Sequence, residues 1–402
     1  MAIIKPFKAW RPKAEFVKAV SSVPYDVINT EEAIDLAEGK PNSFLHVIRP
    51  EIDLPSDIDI HDDRVYELGK INLDRLLNSD TFVQEDSEAL YIYRISWKEL
   101  SKTGVFGCVS VKDYDHELIL KHELTRPDKE DDRTKHILTQ RAHSEPVMLT
   151  FQNDSVINSL ISESTKADPI FDFTTDEGIQ HTVWKASNYE ALVLAFSDIP
   201  TLYIADGHHR CASASRVAHE IASENPSHTG KEHYNFFPAV LFPQREMNIL
   251  AYNRVIYSLP NDFLQKLEAQ FDVIENVSPS PANKGSISLY MNKKWYGIAL
   301  PDSKKMDSAS QLDIARLQEF ILEPLLNISN QRTDPNIHFV GGIRGSKELE
   351  KLVDSGEVEL GISMYPTSIE ELITVSDDKL LMPPKTTWFE PKLRSGILVH
   401  TF

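Results

Sequence analysis

The segment from Leu202 to Ala218 constrains the fold more than any other. An apolar run, Leu202-Tyr203-Ile204-Ala205, leads into Asp206-Gly207-His208-His209-Arg210 and then into small residues at Ala212, Ala214 and Ala218. This pattern predicts a strand, a tight turn and a helix N-terminus. Gly207 lets the backbone turn. The first amides of the helix lack intrahelical acceptors and sit at the positive end of its dipole, which suits an anion such as phosphate. Arg210 adds a bidentate grip, and the imidazoles of His208 and His209 can bond phosphate oxygens or move protons near neutral pH. The bland alternative makes Asp206 a helix cap and buries the histidines. Ionisable groups directly after a buried strand are costly to bury without partners, which favours function. Adjacent helical residues project about 100° apart, so a zinc chelate on His208 and His209 is not expected.

Around this segment, short β-like runs alternate with helical patterns, predicting a mixed α/β or α+β fold. Strands are expected at Phe44–Ile48, Leu90–Trp97, Val105–Val111, Val147–Phe151, Thr182–Lys185, Leu202–Ala205, Pro238–Phe242 and Ile249–Tyr257. A second set is expected at Ser286–Met291, Trp295–Leu300, Ile337–Val340, Val358–Met364 and Gly396–His400. Ile314, Leu317, Ile321 and Leu325 mark a helix over Asp313–Leu326. Ser346–Val353 and Ser368–Val375 read as serine-capped helices, Asn29 or Thr30 as the cap of one running to Leu36, and His61–Leu77 as a longer amphipathic helix. The loop signals at Ser223–Lys231 and Ser278–Lys284 are the best candidate edges, and two regions are expected, 1–230 and 231–402.

Charge and composition exclude some partners. The formal net charge of −19 repels phosphate backbones and anionic lipid surfaces, so duplex DNA and membranes are not expected partners. The longest clean apolar stretch, Ala191–Phe196, is far too short to span a bilayer, and Lys5, Pro6, Lys8 and Arg11 interrupt any signal-peptide core; a cytoplasmic location is expected. The two cysteines, Cys108 and Cys211, read as buried free thiols.

Three further segments carry chemistry. His122-Glu123 leaves a strand-like run just before a helix predicted to start near Pro127, a loop position where catalytic groups are commonly mounted; Arg133 lies on that helix, and Lys129 and Asp132 read as surface residues. Phe339-Val340-Gly341-Gly342-Ile343-Arg344-Gly345 concentrates glycine in a chain that has only 15, so Gly341 and Gly342 mark a close backbone approach, either to phosphate or to a packing partner. Met382–Gly396 is stiffened by Pro383, Pro384 and Pro391 and carries Lys385, Lys392 and Arg394, which form either a local positive focus or a lid that packs through Trp388 and Phe389.

These segments resemble a known family, that of domain of unknown function 1015. The resemblance runs almost end to end: Val23-Pro24-Tyr25-Asp26-Val27-Ile28, Asn42–Pro50, His122–Thr125, Lys129–Arg133, Tyr203–Arg210, Phe339–Gly342 and Met382–Gly396. The Asp206–Arg210 loop is similar in turn to the phosphate-gripping loop of the ParB/sulfiredoxin superfamily, which includes free serine kinases and nucleotide-binding partition proteins. That resemblance implies a ParB/sulfiredoxin-like core with additional α/β segments. It gives Asp206, Gly207, His208, His209 and Arg210 a phosphate-binding role, makes Asp206 the candidate magnesium ligand, and makes ATP or ADP with Mg2+ the cofactor. No counterpart of the kinases' catalytic glutamate aligns, so Glu123 is taken from the local reading, with His122, Asp206 and His209 beside it as catalytic candidates and Asp26 behind it. Sulfiredoxin chemistry needs a cysteine where this loop holds histidine. Arg133, Lys385, Lys392, Arg394, Gly341 and Gly342 complete the expected phosphate and nucleotide contacts.

The expected activity is a nucleotide-dependent phosphotransferase, a kinase of a small hydroxylated metabolite such as serine. A ParB-like nucleotide-binding switch and a phosphoester hydrolase are the alternatives, and a homodimer stays open.

Overall fold

Contacts divide the chain into two units, one formed by residues 1–247 with 391–402 and the other by 248–390. The computed structural model describes residues 2–402. The fold is mixed α/β, as the alternation of elements predicted.

The first unit is built on one nine-stranded mixed sheet. Its strands are β1 (Ile4–Lys5), β2 (Tyr91–Trp97), β3 (Leu100–Ser110), β4 (Ile119–Leu120), β5 (Val147–Phe151), β6 (Phe171–Thr174), β7 (Gln180–Lys185), β8 (Leu202–Asp206) and β9 (Phe236–Pro243). They lie in the order β4-β8-β5-β9-β3-β2-β7-β6, with β1 also on β3. The pairs β8 with β4 and β9 with β5 are parallel. β5 is buried along its whole length, as a strand between two neighbours in a covered sheet must be. Three helices matter for the site: α1 (Asp63–Leu77), α2 (Pro127–Gln140) and α3 (His208–Glu224). Cys211, Ala212, Ser213, Ala214, Val217 and Ala218 on α3 are all buried. Their small size lets α3 lie close to α2, where Ser213 Oγ donates to the Glu130 carbonyl at 3.1 Å and Arg216 pairs with Asp131 at 2.7 Å.

The second unit carries a six-stranded antiparallel sheet. Its strands are β10 (Asn253–Ile256), β11 (Ile274–Glu275), β12 (Ser286–Met291), β13 (Lys294–Ala299), β14 (Ile337–Val340) and β15 (Leu360–Met364), in the order β11-β13-β12-β15-β10-β14. Its core includes Leu289, Ile298, Leu317, Ile321 and Ile362.

Several expectations are displaced. The edge at 230/231 falls inside the first unit, because the segment after it forms β9, a central strand between β5 and β3. Phe44–Ile48 is not a strand: Leu45–Ile48 forms a short helix, since a brief run buried on all sides has no period to separate the two. Ser346 caps nothing, because the helix begins at Gly345. Ser368 and Asn29 do cap, each in a reciprocal capping box with Glu371 and Glu32. The helix over 313–326 forms with a π-helical stretch at Gln318–Leu322. In place of a Gly396–His400 strand, Ser395 and Val399 make single bridges to Ser22 and Trp10, and His400–Thr401 pairs with Ala142–His143. Among the described residues, no helix is long and apolar enough to cross a membrane.

Candidate active site

At the end of β8, Gly207 adopts φ +103° and opens α3. That backbone suits glycine, and a Cβ there would stand 3.0 Å from Val147 Cγ1. Gly207, the N-cap residue, has no side chain with which to cap the helix.

Charges converge on this helix start. Asp206 Oδ1 accepts from Lys392 Nζ at 3.0 Å and Oδ2 from Arg210 Nη2 at 2.9 Å. Burial works against the Asp206 carboxylate, but the attraction of Lys392 and Arg210 outweighs it and holds the carboxyl well below its usual range. Arg210 is buried; its Nη1 donates to the Pro146 carbonyl, while its Nε has no hydrogen-bond partner among the described residues.

Both histidines act as acceptors for the loop before α2. The backbone N–H of His122 donates to His208 Nε2 at 3.4 Å, and that of Arg126 to His209 Nε2 at 3.1 Å. The rings of His122 and His208 meet edge to face at 4.5 Å. Burial drives His208 well below its ordinary pKa and lowers His122 to about 4, so both are neutral at pH 7. Glu123, half-buried, lies between the two pinned residues and so beside the start of α3.

Arg133 reaches the same neighbourhood from α2. With Arg210 and Glu145 it lines a cavity of about 30 Å3, the size of a water site. Its guanidinium pairs with Asp132 at 2.7 Å, lies 3.8 Å from Glu145 and sits 4.1 Å from the centre of the Tyr25 ring. Asp132, read from the sequence as a surface residue, is buried and also accepts from the Tyr66 hydroxyl at 2.9 Å. Asp26 is exposed, and its charge bears on Tyr25, Glu145 and Arg210. Arg49, from the Asn42–Pro50 segment, fixes this loop through the Tyr25 and Ile28 carbonyls at 2.9 and 3.2 Å.

Glu145 was missed by the sequence reading. It is buried, accepts from the Tyr25 N–H at 3.1 Å and the Ser395 hydroxyl at 3.2 Å, and its carboxyl is pushed upward by burial against the opposing pull of Arg210 and Arg133. The available signal was its place in Ser144-Glu145-Pro146, an acid immediately before the wholly buried β5.

The remaining candidates are placed elsewhere. Arg394 pairs with Glu177, in the β6–β7 turn, at 3.1 Å. Lys385, Gly341 and Gly342 belong to the second unit, where Lys385 Nζ lies 5.5 Å from the centre of the Tyr252 ring. The space that a side chain on Gly341 would need is filled by the Trp388 ring at 2.7 Å, and that on Gly342 by the Ala251 carbonyl oxygen. Both cysteines are free and buried, and burial pushes the Cys211 thiol up to about 12, which removes it as a nucleophile. Asp206, the candidate magnesium ligand, already pairs with two cations. Lys392 and Arg210 occupy both Asp206 oxygens, and among the described residues no three His, Cys, Asp or Glu side chains are grouped to hold a metal.

Several solved structures are similar at 11 to 12% identity. A free serine kinase in complex with AMP matches at 12% identity and a TM-score of 0.39, covering 73% of this chain and 89% of its own. A conserved hypothetical protein from Pyrococcus furiosus matches at 12% and 0.37, covering 71% and 90%. SbnI with a C-terminal truncation, from Staphylococcus aureus, matches at 11% and 0.34, covering 72% and 85%. Likenesses at this level carry no functional argument. No curated protein matches the chain. The model of one family, described as protein of unknown function (DUF1015), matches residues 4–317, most of the chain, and the protein belongs to that family.

Proposed function

We propose that the protein is a nucleotide-dependent phosphotransferase that phosphorylates a small hydroxylated metabolite such as serine. The observation that carries this reading is the meeting of Lys392 and Arg210 on Asp206 at the left-handed turn of Gly207, where α3 begins. Phosphoryl transfer needs a fixed anion cradle, cations on the transferring group and a base near the acceptor. The likeness of Asp206–Arg210 to the ParB/sulfiredoxin phosphate loop points the same way.

In this reading the donor, ATP or ADP, enters as its magnesium chelate. Its phosphates take the α3 amides and share Arg210 and Lys392, which Asp206 holds in place. His208 and His209 fix the loop that carries Glu123, and Glu123 accepts the proton of the acceptor hydroxyl. The hydroxyl oxygen attacks the terminal phosphorus, the bond to the nucleotide's leaving oxygen breaks, and ADP or AMP departs. Arg133 and Glu145 are positioning residues, since each is already bound to protein partners.

Incubation of the full chain with terminally labelled ATP, or separately ADP, magnesium and a pool of serine and other hydroxylated metabolites tests the proposal. Labelled phosphometabolite supports it. Free phosphate alone makes the protein a hydrolase, and binding without turnover makes it a nucleotide switch; either result overturns the kinase reading.

A further inference from the structure

The second unit contains a cavity that the reading above does not use. Its volume is about 390 Å3, within the range of small-molecule sites. Its wall includes Lys305, Gln318, Glu319, Glu323, Gln331 and Pro384. Gln318 and Glu319 open the π-helical stretch, a rare geometry concentrated at functional sites.

A buried relay fixes the polar floor. Arg254 Nε donates to Gln331 Oε1 at 3.3 Å, Gln331 Nε2 to Gln318 Oε1 at 3.0 Å, and Gln318 Nε2 to the Ile328 carbonyl at 2.7 Å. Arg254 is fully buried. It also holds the proline wall, through the Pro384 and Lys385 carbonyls at 3.1 and 3.0 Å. Burying a guanidinium is costly unless its donors are satisfied, so this network makes the cavity's shape rigid. Such rigidity exceeds what a surface dent requires.

The charges around that floor have both signs. Glu319 and Glu323, one helical turn apart, present carboxylates; Glu319 accepts from the Ser303 hydroxyl at 2.6 Å, while Glu323 is exposed to solvent. Lys305, exposed, also lines the cavity. Ala315, Pro383 and Pro384 add apolar surface. A space of about 390 Å3 bordered by two glutamates, a lysine and the fixed amides of Gln318 and Gln331 matches a small molecule carrying an amine and a carboxylate together.

We propose that this cavity is a binding site for a free α-amino acid, whose ammonium is held by Glu319 and Glu323 and whose carboxylate is held by Lys305. The site is separate from the proposed phosphoryl-transfer site and does not depend on it.

Calorimetric titration of the full chain with each of the common α-amino acids, and with the decarboxylated amine of any that binds, tests this. The expected result is saturable binding of at least one amino acid below ~10 mM. Its affinity falls tenfold or more in Glu323→Gln and in Lys305→Met, whose exposed side chains can be changed without disturbing the core. The amine alone binds at least tenfold more weakly, and Lys392→Ala leaves the affinity unchanged. Absence of binding by every amino acid overturns the proposal. So does binding that persists in both Glu323→Gln and Lys305→Met. If such binding disappears in Lys392→Ala instead, the amino acid is a ligand of the first unit, which leaves the kinase reading standing while this one fails.

Discussion

Each unit buries an arginine near a glycine turn, and the two are satisfied in opposite ways. Arg210 answers a carboxylate, Asp206, and lies among further charges on Glu145, Asp26 and Lys392. Arg254 is held by the carbonyls of Tyr252, Pro384 and Lys385 and by the Gln331 amide, and burial lowers it to about 9. Gly207 is needed for its backbone angle, whereas Gly341 and Gly342 are needed for the room they leave to Trp388 and Ala251. A glycine turn near a cation therefore has two physical meanings. In the first unit ionised groups hold one another at a helix start; in the second, neutral dipoles and tight packing fix a wall. Histidine follows the same division, since His338 is the only one between Asn248 and Glu390.

The largest effect is expected where removing one charge strands others. Arg210→Ala leaves Asp206 to Lys392 alone and the buried Glu145 to Arg133 alone, and should lower unfolding free energy by about 3–5 kcal/mol. Arg254→Met strands only neutral acceptors and should cost about 1–3 kcal/mol. Urea unfolding of both variants measures the difference, and equal losses would erase the contrast.

Acid should separate the units next. The pKa of His122, about 4, is below that of the unfolded chain, so the unfolded state binds more protons between those values. Its contribution is complete above pH ~6.5 and is lost as the pH falls toward 4, on the order of 3 kcal/mol from this histidine alone. Buried His136, His181 and His400 act in the same direction. Hydrogen exchange at stepwise lower pH should therefore show protection falling first in the sheet of the first unit. Earlier loss in residues 248–390 would contradict this.

The glycines provide a finer test. Gly342→Ala drives a Cβ against backbone and should cost about 2 kcal/mol, while Gly207→Ala should cost about 1–2 kcal/mol through its left-handed backbone. Nucleotide affinity should drop in Gly207→Ala and hold in Gly342→Ala, as read by equilibrium binding of ATP. The smallest effect is electrostatic. Lys392→Ala should weaken ATP binding several-fold at low salt and less at high salt, because part of its attraction is screened. Lys385→Ala is the control for a lysine outside the first unit.

What could be read from the chain follows the reach of each signal. The strand Val147–Phe151 and the caps Asn29 and Ser368 are local patterns, and they stand at the expected positions. Asp206-Gly207-His208-His209-Arg210 was visible as a turn and helix start because a strand, a glycine and small helical residues follow in sequence. The acceptor role of both histidines was not visible, since their partners are the amides of His122 and Arg126, more than 80 positions away. Glu145 was invisible for the same reason: Tyr25, Arg133, Arg210 and Ser395 give it meaning, and all are distant or belong to other elements.

By itself, the sequence determined the class of fold, most of its elements and the strand, turn and helix start at Gly207, because periodicity, capping and glycine placement act over a few residues, and its motifs carried the resemblance to the family. Only the tertiary structure decided which cations serve that turn. Lys385, Lys392 and Arg394 are equivalent as residue types within one proline-stiffened stretch, yet Lys392 meets Asp206, Arg394 meets Glu177, and Lys385 belongs to the other unit. Charge carries no address along the chain. Its energy depends on distance and burial, and both are fixed only when remote segments pack.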